Sequence, residues 1–208
     1  MNVDGLIAHH GYYALFALVA LESLGIPLPG ETILIAAGTY AGHTHRLNVW
    51  VIFVVAAAAA IIGDNIGYWI GNKGGYPLLR RYGRYIRLKE PEIKVGRYVF
   101  DRYGGSVVFF GRFVSVLRPY AAFLAGTNKM RWPKFLVYNM AGGILWAGIY
   151  AFGSYYLGDA LTHASGAINW ALAGVAVVAV FFTIMLVRRA SKRLEVLAEA
   201  AYPGPLPE

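Results

Sequence analysis

The chain has 208 residues, 58% of them hydrophobic and only 14% charged, with a mean hydropathy of +0.50. A soluble domain carries about a quarter charged residues, and the absence of cysteine excludes disulfides, thiol nucleophiles and thiolate metal sites. The net charge of +8 does not point to nucleic acid: nine of the 19 Lys and Arg fall in residues 72–104, three at Lys129, Arg131 and Lys134, and four at Arg188, Arg189, Lys192 and Arg193, clusters that mark the cytoplasmic side of a helical membrane protein.

Residues 1–11 hold no Lys or Arg, so no cleaved signal peptide is expected there. Residues 12–41 are apolar but interrupted by Pro27, Pro29 and Gly30. Residues 49–71 are long enough to cross about 30 Å of hydrocarbon and run from outside to the basic cytoplasmic loop 72–104. Residues 105–126 are again apolar and again interrupted, by Pro119. Residues 135–157 run back outside, and 166–187 return to a basic tail. Proline removes a backbone donor and breaks a helix, and broken backbone at membrane depth is tolerated only inside protein or along a wet cavity. The two interrupted segments are therefore expected as re-entrant hairpins, one dipping from each side, with the N-terminus outside. The alternative is a full span in 12–41, which puts the N-terminus inside. Residues 198–208 look too short and Pro-rich to pack.

The two halves also resemble each other. Ala37-Gly38-Thr39 precedes a span ending Gly67-Tyr68-Trp69-Ile70-Gly71, and Ala125-Gly126-Thr127 precedes one ending Ser154-Tyr155-Tyr156-Leu157-Gly158. Gly38 and Gly71 are 33 apart, Gly126 and Gly158 are 32 apart. The expected fold is thus an all-α polytopic membrane protein with one transmembrane domain over residues 1–197. It holds two inverted repeats, 12–71 and 105–158, each a re-entrant hairpin plus a span, and then a final helix. Inverted repeats with broken helices mark secondary transporters, which bind substrate near the midplane.

Four charges lie inside the interrupted apolar stretches: Glu22, Glu31, Arg112 and Arg118. Unpaired at mid-bilayer, four would cost roughly 10 kcal/mol or more. They must meet each other, water or a charged substrate, and pseudo-symmetry sets the two acids opposite the two bases. Arginine forks match phosphate oxygens in a bidentate way, so Arg112 and Arg118 are the candidate phosphate ligands. Glu22 and Glu31 are the candidate proton carriers or ion-pair partners. Asp64 and Asn139 are cavity candidates, with Asp64 alternatively a helix cap or an inner-interface residue. Pro27, Pro29, Gly30 and Pro119 set the breaks. Trp146 and Tyr150 follow Asn139 along one helix at seven and four residues, a spacing that could line a cavity, although aromatics in membrane helices more often serve as packing or interface anchors. His43 and His45 give too few ligands for a metal site, and His9, His10 and His163 read as interfacial.

The runs Glu22-Ser23-Leu24-Gly25-Ile26-Pro27-Leu28-Pro29-Gly30-Glu31, Gly63-Asp64-Asn65-Ile66-Gly67-Tyr68, and Phe110-Gly111-Arg112-Phe113 with Arg118-Pro119 and Ala125-Gly126 resemble the DedA membrane-protein family over roughly residues 12–190. The resemblance implies translocation of undecaprenyl phosphate or a phospholipid across the plasma (inner) membrane, with dependence on the proton gradient. It carries the family's essential acids and arginines onto Glu22, Glu31, Arg112 and Arg118. The expected partner is a membrane lipid with a phosphate headgroup; no cofactor or metal is expected, only protons as coupling ion. The competing reading is a proton-coupled small-ion antiporter. An enzyme is not expected: the lipid phosphatase pattern needs a Lys seven residues before Arg-Pro, where this chain has Gly111, and a Ser-Gly-His that does not follow. A structural or assembly protein is the less favoured alternative, because it gives charges buried at such cost less to do.

Overall fold

The computed structural model describes residues 3–26, 28–82, 90–113, 118–163, 196–201 and 203–204. Among them there are helices and no strands: α1 (Val3–Ser23), α2 (Gly30–Thr44), α3 (Val49–Tyr82), α4 (Glu90–Tyr103), α5 (Ser106–Gly111), α6 (Arg118–Thr127) and α7 (Trp132–His163). Val49–Gly75 of α3 and Trp132–Ala160 of α7 are apolar and long enough to cross a membrane. Each extends the segment expected from sequence by a few residues. Exposed Val54, Ile62, Val137, Ile144 and Ile149 give both helices an apolar outer face, suited to lipid. The expected span at 166–187 lies outside the described residues, as do Pro27 and the linkers 83–89 and 114–117.

The first interruption falls between α1 and α2. Gly25 has φ 110, open to glycine alone without strain, and Pro29 stands immediately before α2. The second interruption differs from expectation. The chain leaves the helix at Arg112, and Pro119 sits in the first turn of α6, where its missing N–H costs nothing. Pro119 starts a helix and does not break one. The basic loop is also largely helical: α3 continues to Tyr82 past a kink at Gly75 (φ 57, ψ −160), and α4 occupies 90–103.

Packing is organised as two apolar cores stacked along α3 and α7. One joins Leu15 and Val19 of α1, Leu34 and Ala41 of α2, Ile52, Ala56, Ala57, Ala59 and Ala60 of α3, and Trp146, Ala147 and Ala151 of α7. The other joins Tyr68 of α3, Val95, Val99 and Phe100 of α4, Val107 and Val108 of α5, Ala122, Leu124 and Ala125 of α6, and Phe135 of α7. Ala198 is fully buried in this second core, and Glu199 pairs with the buried Lys94 at 2.7 Å. The start of the C-terminal tail therefore packs, contrary to its reading as too short to do so, because α4 offers it an apolar face and a buried ammonium.

The two short helices sit reciprocally: α2 lies chiefly along α7, and α6 along α3. Both contacts use glycine to let backbones touch. A Cβ at Gly42 would overlap the Tyr155 carbonyl and crowd the Asp159 N–H; one at Gly126 would do the same to Tyr68 and Asn72. Gly126→Leu is therefore expected to lower stability in detergent melting by about 1–3 kcal/mol, the usual cost of overpacking. Gly153→Ala, with nothing within 4 Å of the added methyl, should be neutral or stabilising by up to about 1 kcal/mol.

Candidate functional site

The charged residues occupy the seam between the two cores. On α3, Asp64 falls between the apolar runs at 52–60 and 68; on α7, Asn139 falls between Phe135 and Trp146. Two clusters form there, one around each arginine.

Arg118 is the first residue of α6 and is buried (side chain 5% exposed). Its Nη1 donates to Glu31 Oε2 at 2.9 Å and its Nη2 to Glu22 Oε2 at 3.3 Å. Its guanidinium lies 4.1 Å over the Trp146 ring, a stacking that a planar delocalised cation favours. Glu22, in the last turn of α1, also lies against the backbone N–H groups of Gly30 and Glu31. Those are the first unpaired donors of α2, so the carboxylate serves as a cap where the helix dipole favours negative charge. Gly30 is needed there because a Cβ would collide with Glu22 Oε2. Tyr150 meets Glu31 from α7. Glu31 is the most open member, with its side chain 34% exposed.

Arg112 follows α5 and is buried with Asp64 (3% and 9% exposed). Its Nη2 donates to Asp64 Oδ2 and, at 2.6 Å, to Asn139 Oδ1. Asn139 Nδ2 donates in turn to the Ile61 carbonyl at 3.2 Å, which orients the amide with its oxygen toward the arginine. The pair is balanced, one cation to one anion. The Arg118 cluster is not: two carboxylates face one guanidinium.

Among the described residues three buried side-chain atoms have no hydrogen-bond partner: Arg112 Nη1, Arg118 Nε and Ser23 Oγ. An unpaired buried donor costs about 1–3 kcal/mol, more when charged, and each arginine keeps one.

The sequence-level expectation of two acids facing two bases is met for one base only. Glu22 and Glu31 both go to Arg118, while Arg112 takes the two residues singled out as cavity candidates, Asp64 and Asn139. Trp146, read as packing or interface, is 1% exposed and stacks on Arg118. The signal for it was present: Asn139, Trp146 and Tyr150 are seven and four residues apart, which is one helical face. His45 pairs with Asp159 at 3.5 Å and with the Tyr155 hydroxyl at 3.3 Å, far along α7 from either arginine. Among the described residues no group of three or more His, Asp or Glu is placed to hold a metal. An open groove of about 570 Å³ lined by Ala36, Thr39, Tyr40, His43 and Gly158 lies along α2 and contains none of the charged site.

The VTT domain family matches residues 28–156, which include every residue of the two clusters except Glu22. An uncharacterized membrane protein of Synechocystis is 40% identical over 161 residues, covering 77% of this chain and 73% of that protein. An uncharacterized membrane protein of Mycobacterium tuberculosis is 37% identical over 194 residues, covering 92% and 89%. Protein DedA of Escherichia coli is 30% identical over 165 residues, covering 76% and 75%. No solved structure matches the chain.

Proposed function

The chain belongs to the DedA family of VTT-domain membrane proteins, and from that premise we propose that it translocates a phosphate-bearing lipid across the plasma membrane, coupled to protons, as a transporter and not an enzyme. The observation that carries this reading is Arg118: a buried guanidinium with a free Nε, stacked on Trp146 and held by two carboxylates. It stands where α2 and α6 both begin, so two helix N-termini favour negative charge at this place. A phosphate can take Arg118 when a carboxylate accepts a proton and lets go. The carboxylate and the phosphate then exchange at the same donors, so the arginine is never left uncompensated.

In this account α1–α2 and α5–α6 are the re-entrant hairpins of two inverted repeats. The reciprocal packing of α2 on α7 and α6 on α3, with Gly42 and Gly126 in like settings, supports that arrangement. The basic segment 72–104 faces the cytoplasm on the positive-inside rule. The excess carboxylate at Arg118 favours a second reading, cation–proton antiport, which the same assay separates. In proteoliposomes, the wild type is expected to flip a polyprenyl monophosphate or a phospholipid, faster with a pH gradient, and Arg118→Gln to reduce flipping at least tenfold, the loss of one charged hydrogen-bonding group. Well-folded protein that flips neither lipid, but moves protons against a metal cation, would replace the lipid reading with antiport.

A further inference from the structure

Resting on the reading that the site takes a lipid phosphate, we infer that the phosphate's seat is the place filled by the Glu22 carboxylate, at the N-terminus of α2 and along one edge of the Arg118 guanidinium. Glu22 is then a resident anion that the phosphate displaces, and the main-chain N–H groups of Gly30 and Glu31 are phosphate ligands beside Arg118. Three features of the place converge on this. First, α2 begins without a cap of its own: Pro29 precedes it, and no side-chain hydrogen bond is made from that position. A helix of 15 residues leaves the N–H groups of its first turn open, and its dipole favours an anion there. Glu22 crosses from the end of α1 to lie against the N–H groups of Gly30 and Glu31. Second, the backbone is cut away to admit it: a Cβ on Gly30 would collide with Glu22 Oε2 and stand 3.1 Å from Val19 Cα. Third, Glu22 leaves the arginine edge half used. It takes Nη2 at 3.3 Å, whereas Nε, on the same edge of the buried guanidinium, has no hydrogen-bond partner.

A tetrahedral phosphate can set one oxygen against the two N–H groups and others against the Nη2–Nε edge, the bidentate match that guanidinium makes with phosphate. Glu31 is placed differently. It bonds the other terminal nitrogen, Nη1, at 2.9 Å, with Tyr150 beside it, so Arg118 keeps one carboxylate while the other is exchanged. The charged and titratable groups facing Glu22 are Arg118 from α6, Glu31 from α2 and Tyr150 from α7. Arg112 is already paired with Asp64 of α3. A displaced Glu22 carboxylate therefore gives up its cation and its helix cap together, and its side chain is only 17% exposed. A charge in that position is costly, so Glu22 leaves the seat as the neutral acid, carrying the proton taken up on binding.

The test uses decyl monophosphate as the probe and the full chain in neutral detergent at pH 8, and compares the two acids one at a time by titration calorimetry in several buffers. Wild type is expected to take up about one proton per phosphate. Glu22→Gln should take up none and bind up to about tenfold more tightly, since no charged rival holds the seat. Glu31→Gln should still take up about one. Proton uptake that persists in Glu22→Gln, or is lost in Glu31→Gln, would overturn the assignment and leave the phosphate reading intact. A wild type that binds no decyl phosphate would overturn the phosphate reading itself. Gly30→Ala gives an independent check, made on protein that keeps its melting transition. Its methyl enters the seat while Arg118 and both acids remain, so binding should fall at least tenfold; binding equal to wild type would remove the α2 N-terminus from the site.

Discussion

Arg112→Ala is expected to destabilise the protein by about 3–5 kcal/mol, the cost of leaving a buried charge without its partner, and Asp64→Asn in the same chain is expected to restore most of that loss. The reason is local. Arg112 and Asp64 are almost wholly buried in the seam between the two cores, and Asp64 has no other ion-pair partner among the described residues. Removing the guanidinium leaves a carboxylate facing Asn139 and the apolar flanks of α3. Removing the carboxylate charge as well leaves amides that can pair. The measurement is unfolding of purified protein in mixed micelles, with flipping assayed on the same preparations. The single variant should unfold early, the double variant near wild type, and neither should flip lipid. A single variant as stable as wild type would mean that Asp64 finds another counter-charge or is neutral.

The second large effect is on pH dependence. Glu22→Gln/Glu31→Gln is expected to bind phosphate lipid independently of pH between about 7.5 and 9, where the probe's second ionisation, near pH 6, is complete. Wild-type binding should weaken through the same range by up to about tenfold per unit. The sign follows from the exchange at Arg118. Empty, the cluster holds two carboxylates against one guanidinium; occupied, it holds a phosphate in place of at least one of them. If the displaced carboxylate takes a proton, binding consumes that proton, and raising the pH opposes binding. With both acids neutral, no proton is consumed and Arg118 stands ready. The double variant should therefore bind more tightly than wild type at high pH while losing the response of flipping to a pH gradient.

The residues of this site were legible in the sequence because hydrocarbon makes buried charge expensive, and a charge kept at that cost has a partner. The pairing was not legible. Arg112 and Asp64 are 48 residues apart, one just after α5 and the other on α3, and which acid reaches which base depends on how deep each hairpin sits, something no local pattern encodes. Trp146 was legible only in part: its spacing from Asn139 and Tyr150 sets it on one helical face, but an aromatic in an apolar helix has many uses, and the position of Arg118 above its ring decides among them. The interruptions were visible as prolines, yet Pro119 works as a helix start, a role that sequence alone does not separate from a break. Helix α4 was masked by its charge. Val95, Val99 and Phe100 join the second core, but the arginines around them gave the segment the look of a loop. The glycine register shifted as well. Sequence likeness pairs Gly38 with Gly126, whereas in the fold it is Gly42 that meets the Tyr155 carbonyl as Gly126 meets that of Tyr68. Small residues recur every few positions in these helices, so letters alone leave a one-turn ambiguity that packing resolves.

The central claim is that phosphate replaces a carboxylate at Arg118 and that the carboxylate leaves with a proton. Its most direct test is the number of protons taken up per decyl phosphate bound by wild-type protein at pH 8, measured by titration calorimetry in buffers of different ionisation enthalpy. The account expects about one proton per phosphate, falling to none in Glu22→Gln/Glu31→Gln. Tight binding by the wild type with no proton uptake would contradict it.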